Sequence, residues 1–122
     1  MGSTSFTQLK VWEKAHQLTL AIYRMKRSFP SDERFGLTHQ MRTAAVSIPA
    51  NIAEGFGRRP GKDRARFLTF SKGSTEELKY YLRLGKDLEY APDVVGLNHS
   101  LDEIGALLYT AWEREIRNGG SL

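Results

Sequence analysis

Hydrophobic positions recur along this chain with a helical period almost throughout. Val11, Ala15, Leu18, Ile22, Met25 and Phe29 follow one another at intervals of three and four, which predicts one stripe of an amphipathic helix over about residues 9–28. Trp12 widens that stripe, while Glu13, Gln17, Arg24 and Arg27 fall off it and can face water. Pro30 stops the helix, because the residue before a proline is pushed out of the helical region. Ser31-Asp32-Glu33 then supplies a hydroxyl cap and carboxylates that favour the positive end of a helix dipole. A second helix is expected over about residues 32–57, spanning about 39 Å if unbroken, with Thr38 as a second cap should Gly36 interrupt its first turn.

The second helix differs from its neighbours. On a wheel of about 100° per residue, Met41, Ala45, Ile48, Ile52 and Phe56 make an apolar seam about 80° wide. Gln40, Ser47, Asn51, Glu54 and Arg58 make a polar seam about 60° wide, centred about 130° away. Between Arg42 and Glu54 no residue is formally charged. A helix with no solvated charged face normally lies inside something, and four helices of this length rarely enclose one of their own number. A protein partner is therefore expected, most simply a second copy of the chain, with Gln40, Ala44, Ser47, Asn51 and Glu54 as the candidate contacts. Pro49 removes a backbone donor from this helix at a cost of about 3 kcal/mol if nothing compensates. Ser47, Asn51 and Glu54 are expected to satisfy freed backbone groups or one another rather than to hold a ligand.

Gly57 to Lys62 is an interhelical loop punctuated by glycine and proline. It is not a phosphate loop: three residues separate Gly57 from Gly61 where four are needed, Asp63 stands where Ser or Thr should reach magnesium, and no strand is expected before it. Gly55-Phe56-Gly57 opens a dinucleotide pattern that ends on Pro60, so that reading fails too. A third helix follows over about residues 63–90, with Phe67, Phe70, Ser74, Leu78, Tyr81, Gly85 and Leu88 as its expected inner side. Ala91-Pro92-Asp93 breaks the chain. Ser100-Leu101-Asp102-Glu103 matches a capping box, which starts a fourth helix at about residue 101 and carries it to about 117 along Leu101, Ile104, Leu108 and Ala111 or Trp112. The remaining Asn118 to Leu122 reads as a frayed tail. Four helices with short connections give an all-α, antiparallel up-down-up-down four-helix bundle as one domain over residues 1–122.

Charge adds a candidate surface. The 122 residues carry a net charge of +4, and nine of the eighteen basic residues lie between positions 58 and 86: Arg58, Arg59, Lys62, Arg64, Arg66, Lys72, Lys79, Arg83 and Lys86. Lys72, Lys79, Arg83 and Lys86 share a stripe about 60° wide and about 21 Å long on the third helix. Such a surface can neutralise phosphates with little base readout. The alternative is an ordinary solvated face, since Glu76 and Asp87 are spaced for local ion pairs.

Other chemistry is thin. With no cysteine, disulfides, thiolate metal sites and cysteine nucleophiles are excluded. A carboxylate-bridged di-iron bundle needs Glu-x-x-His on two helices; Glu13-Lys14-Ala15-His16 fits once, and Gly36 and Gly96 occupy the glutamate position before His39 and His99. No catalytic grouping, metal site or cofactor is expected, and the chain is not expected to be an enzyme. No run of about 18 apolar residues crosses a membrane and the start of the chain has no hydrophobic signal core, so a cytoplasmic location is expected.

Phe6 to Trp12 (FTQLKVW), Phe29-Pro30, Phe35-Gly36-Leu37, Gln40-Met41-Arg42, Ala44 to Arg58 (AAVSIPANIAEGFGR), Phe67-Leu68, Gly73-Ser74 and Glu77-Leu78 resemble the four-helix-bundle proteins encoded in bacterial 23S rRNA intervening sequences. The likeness covers nearly the whole chain, and VSIPANIAEG is its most specific part. That family is similar in fold to the accessory variability determinant proteins of diversity-generating retroelements, which form pentameric barrels and work with a reverse transcriptase and RNA. The resemblance implies a homopentamer, nucleic-acid binding and no catalysis, with a reverse transcriptase or another protein as a further partner. Thr43, where many relatives are expected to carry arginine, removes one basic contact, and Tyr80-Tyr81 departs from the pattern as well. The expected function is a non-enzymatic homo-oligomer that binds RNA or single-stranded DNA. The alternative is a protein–protein adaptor or scaffold that ignores nucleic acid.

Overall fold

The computed structural model describes residues 5–25, 29–90 and 94–119. Four helices follow in order: α1 (Lys10–Arg24), α2 (Leu37–Phe56), α3 (Lys62–Asp87) and α4 (Val95–Arg114). One-turn 3-10 segments sit at Phe6–Gln8 and Ser31–Glu33, and α4 runs on into a π turn at Glu115–Gly119. Each helix packs on the next and α1 closes on α4, which makes the antiparallel bundle that short connections dictate. No strand occurs among the described residues, and none of their helices is long and apolar enough to cross a membrane.

The core is built from all four helices, with Leu68, Leu78 and Leu82 of α3 among its members. Ala15, Leu18 and Ile22 of α1, Met41, Ala45, Ile48 and Ile52 of α2, and Leu101, Ile104 and Leu108 of α4 are buried together. Trp12, Met25, Phe29, Ala111 and Trp112 pack at its margins. The third helix follows the expected line only in part, through Leu78 and Gly85. Its buried residues are Ala65, Leu68, Ser71, Thr75, Leu78, Leu82 and Gly85, whereas Phe70 and Leu88 are exposed. Small residues on that line let α3 approach α2 closely, and their hydroxyls are satisfied by carbonyls. Ser71 Oγ donates to the Ile48 carbonyl at 2.7 Å and Thr75 Oγ1 to the Lys72 carbonyl at 2.6 Å.

Two helix starts also differ from expectation. The second helix is not continuous from Asp32: Ser31–Glu33 form a separate turn and α2 begins at Leu37 with Gly36 as its cap residue. The cap is a carboxylate rather than the Ser31 hydroxyl, since Glu33 Oε1 accepts from the Leu37 amide at 3.1 Å. A Cβ on Gly36 would stand 2.6 Å from that oxygen, so glycine makes room for it. The fourth helix starts at Val95 and not at 101, which leaves Ser100 inside the helix. Val94 is buried and Leu97 packs against the core, and that burial outweighs the local capping signal at Ser100. The first helix ends at Arg24. Its expected last turn, the Ala91-Pro92-Asp93 break and the end of the tail lie at residues 26–28, 91–93 and 120–122, outside the described residues.

Pro49 sits within α2 without ending it. A proline there leaves the carbonyl four residues earlier, that of Ala45, without its helical donor. Thr19 of α1 supplies one, its Oγ1 lying 3.1 Å from Ala45 O and 2.9 Å from Ala15 O, so a single hydroxyl proton is shared between two helices. Ser47 and Asn51 bond nearby instead. Asn51 Nδ2 donates to Ser47 O at 2.8 Å and to Ser47 Oγ at 2.9 Å, and Ser47 Oγ lies 2.8 Å from Ser74 Oγ of α3.

Candidate nucleic-acid interface

The loop between α2 and α3 is held from inside by one arginine. Arg64 donates through Nε to the Gly55 carbonyl and through Nη2 to those of Phe56 and Arg58, each at 3.0 Å. Its Nη1 lies 3.7 Å from Glu115 Oε2, while Glu115 Oε1 accepts from the Gly61 amide at 2.8 Å. Gly61 adopts φ 105°, a conformation that disfavours a side chain. Arg64 is thus a staple of the loop, with its hydrogen-bonding capacity turned inward.

The other cations of this end face out around two phenylalanines. Arg58 lies 4.7 Å and Arg66 4.9 Å from the centre of the Phe67 ring, and Arg66 is 5.8 Å from that of Phe70. The two rings meet edge to face at 5.5 Å, and Phe70 is 46% exposed. Phe67 seats here because Gly55 has no side chain, since a Cβ at Gly55 would stand 3.0 Å from Phe67 Cβ. Arg58 pairs with Glu54 at 2.8 Å and Arg66 with Asp63 at 3.4 Å. Both pairs are exposed, a setting in which an ion pair is worth only about 0–1 kcal/mol and an incoming phosphate can compete. Arg59 and Lys62 are exposed and form no ion pair among the described residues.

The stripe on α3 is a different surface. Lys72 and Lys79 both reach Glu76 at 3.4 Å, Lys79 also reaches Asp102 of α4 at 2.7 Å, and Arg83 pairs with Asp87 at 3.0 Å. The hydrogen bond from Lys79 holds the Asp102 carboxyl below its ordinary value. The same bond raises Lys79 above its own, against a smaller opposing effect of burial. Lys72 and Lys79 therefore lie along the boundary with α4, Arg83 is matched within α3, and Lys86 alone of the four has no ion pair among the described residues.

The outer side of α2 carries little charge. Gln40, Thr43, Val46, Ala50 and Glu54 are exposed, Ser47 and Asn51 are half-buried, and Ala44 is buried within the bundle's own core. Arg42, the nearest cation, is folded back: its guanidinium lies 4.9 Å from the Tyr23 ring centre and donates to the Tyr23 carbonyl at 3.3 Å. Elsewhere, His16 stacks on Trp12 at 4.9 Å and Glu13 accepts from Gln17 at 2.9 Å. Among the described residues, no three His, Asp or Glu side chains group in a way that could hold a metal ion.

Of the nine basic candidates, then, Arg58, Arg59, Lys62 and Arg66 lie together at one end of the bundle, Arg64 serves the loop, Lys72 and Lys79 border α4, Arg83 pairs within α3, and Lys86 is exposed with no ion pair among the described residues. Phe67 and Phe70 were read from periodicity as core. The signal that they belong to the surface cluster was the arginines flanking them in sequence, Arg64, Arg66 and, across the loop, Arg58. The family model described as 23S rRNA-intervening sequence protein matches residues 7–110. No curated protein matches the chain.

Proposed function

Because the chain belongs to the 23S rRNA-intervening sequence protein family, we propose that it is a non-enzymatic homo-oligomer of four-helix bundles that binds RNA or single-stranded DNA through phosphates. The observation that carries this reading is the pair of outward cations Arg58 and Arg66 against Phe67 and Phe70, with Arg59 and Lys62 exposed at the same end. Cations beside an exposed aromatic ring are what an unpaired strand needs, the charges tracking its phosphates and Phe70 offering a platform for a base. The sparsely charged outer side of α2, with Thr43, Val46 and Ala50 exposed, supports self-association there, and the family resemblance makes five the expected number of subunits. Phosphates rather than base edges carry the affinity, so binding falls steeply with added salt.

Light scattering on the protein alone and with a mixed RNA pool at two salt concentrations tests both halves. The expected result is a defined oligomer that gains RNA mass at low salt and loses it at high salt. An oligomer with no RNA affinity at low salt would leave the second reading, an adaptor for another protein, which the matched charges of Lys72, Lys79 and Arg83 favour. A monomer would overturn the self-association.

A further inference from the structure

A cavity of about 370 Å³ opens at the same end of the bundle, lined by the start of α1, the end of α2, the start of α3 and the end of α4. Its walls include Ile52, Phe56, Leu68 and Leu107, and its lining also takes in Lys10 and Arg114. The walls are apolar, and the volume falls in the range of about 300–1,000 Å³ typical of small-molecule sites. The polar groups at the cavity decide what kind of molecule suits it. Glu115 lines it too, but one of its oxygens accepts from the Gly61 amide and the other lies 3.7 Å from Arg64, a cation that lines the cavity beside it and offsets its charge. Thr110 gives its proton to the Ala106 carbonyl at 3.1 Å. Lys10 and Arg114 are both exposed and have no ion pair among the described residues. The charge left to be met is positive, it comes from two different helices, and it borders an apolar recess.

We infer that this cavity is a binding site for a small amphipathic anion, a carboxylate carrying a medium-length alkyl or aryl body. The body lies against Ile52, Phe56, Leu68 and Leu107, and the carboxylate meets Lys10 and Arg114. A cation of the same shape finds no free acid there. The site shares neither its apolar walls nor its two free cations with the proposed nucleic-acid cluster, so it stands whether or not RNA binds.

The test is a calorimetric titration of the full chain with decanoate below its micelle concentration, set against decyltrimethylammonium, which has the same tail and the opposite charge. Saturable binding of decanoate and none of the cation is expected. Lys10→Glu with Arg114→Glu should weaken decanoate about 10-fold, since each exposed charge contact contributes up to about 1 kcal/mol. Leu107→Trp, which fills the recess, should abolish binding while circular dichroism shows the helices intact. If that variant does not fold, the charge-reversal pair decides alone. Equal binding of the two amphiphiles, decanoate binding that survives both changes, or no decanoate binding at all would overturn the assignment.

Discussion

At the end of the bundle where α2 begins, Glu33 accepts from the Leu37 amide with one oxygen and from the Tyr90 hydroxyl with the other, at 3.1 and 3.0 Å. Phe29 closes edge to face on Tyr90 at 5.5 Å. At the opposite end Glu115 has the same task, tying a loop amide to a side chain of α3, but its second partner is the arginine that gathers three loop carbonyls. Neutral donors and two packed rings close the first end. At the second end Glu115 offsets Arg64, Glu54 and Asp63 pair with Arg58 and Arg66, and Arg59, Lys62, Lys10 and Arg114 have no ion pair among the described residues, at an end open enough to hold a cavity. One device, a doubly bonded glutamate, can therefore seal a bundle end or leave it charged and accessible, depending on whether its partners carry charge.

The largest test of that contrast is functional. Replacing Arg58, Arg59 and Lys62 by glutamate should lower RNA affinity about 100-fold at low salt and flatten its salt dependence. Arg34→Glu with Lys86→Glu, at the sealed end, should change it by less than about threefold in the same fluorescence-polarisation assay. Equal losses would mean that binding follows net charge and that the two ends do not differ.

In stability the same contrast is smaller. Glu115→Gln leaves Arg64 without its counter-charge in a mostly covered position and should cost about 2 kcal/mol in urea denaturation. Glu33→Gln keeps an oxygen for the Leu37 amide and a polar group for Tyr90, and should cost less than about 1 kcal/mol. Glycine substitutions sharpen the comparison further and with opposite sign. Gly55→Ala forces a Cβ to 3.0 Å from Phe67 Cβ and 3.3 Å from the Arg64 carbonyl, with an expected loss of about 1 kcal/mol. A Cβ on Gly96 meets nothing within 4 Å, so Gly96→Ala should stabilise α4 by about 0.5 kcal/mol.

The smallest effect is alkaline. The hydrogen bond to Glu33, and then burial, hold the Tyr90 hydroxyl above its ordinary value of 10.0. The fold favours the protonated phenol, so this contribution is whole below pH about 10 and fades as pH rises through the raised value. Thermal denaturation should therefore show a steeper alkaline decline for the natural chain than for Tyr90→Phe. Identical slopes would remove Tyr90 from the seal.

Much of this architecture was legible in the residues. Large aliphatic side chains at intervals of three and four mark the buried lines of α1, α2 and α4, because burial of such groups depends on little beyond periodicity. The inner line of α3 was hidden for the opposite reason. Ser71 and Thr75 are acceptable in a core only because carbonyls of Ile48 and Lys72 receive their protons, and the sequence does not display such partners. The phenylalanines were assigned inward by the same preference for size. The capping box at Ser100 is a local signal, and the packing of Val94 and Leu97 on the core lies outside its reach. The basic cluster could be read as a concentration of charge, but the division of labour within it could not. Arg64 and Arg66 are two positions apart in sequence and face different worlds.

Pro49 and Thr19 carry a consequence of another kind. A carbonyl in the interior of a helix ordinarily finds its donor one turn along the same helix, so helices can slide against each other with those bonds intact. The Ala45 carbonyl cannot. Its donor comes from α1, and a slip of one turn, about 5.4 Å, would leave it facing apolar side chains. The proline thus converts an interchangeable position into an address, and the pair acts as a register mark that tells α1 where along α2 to dock.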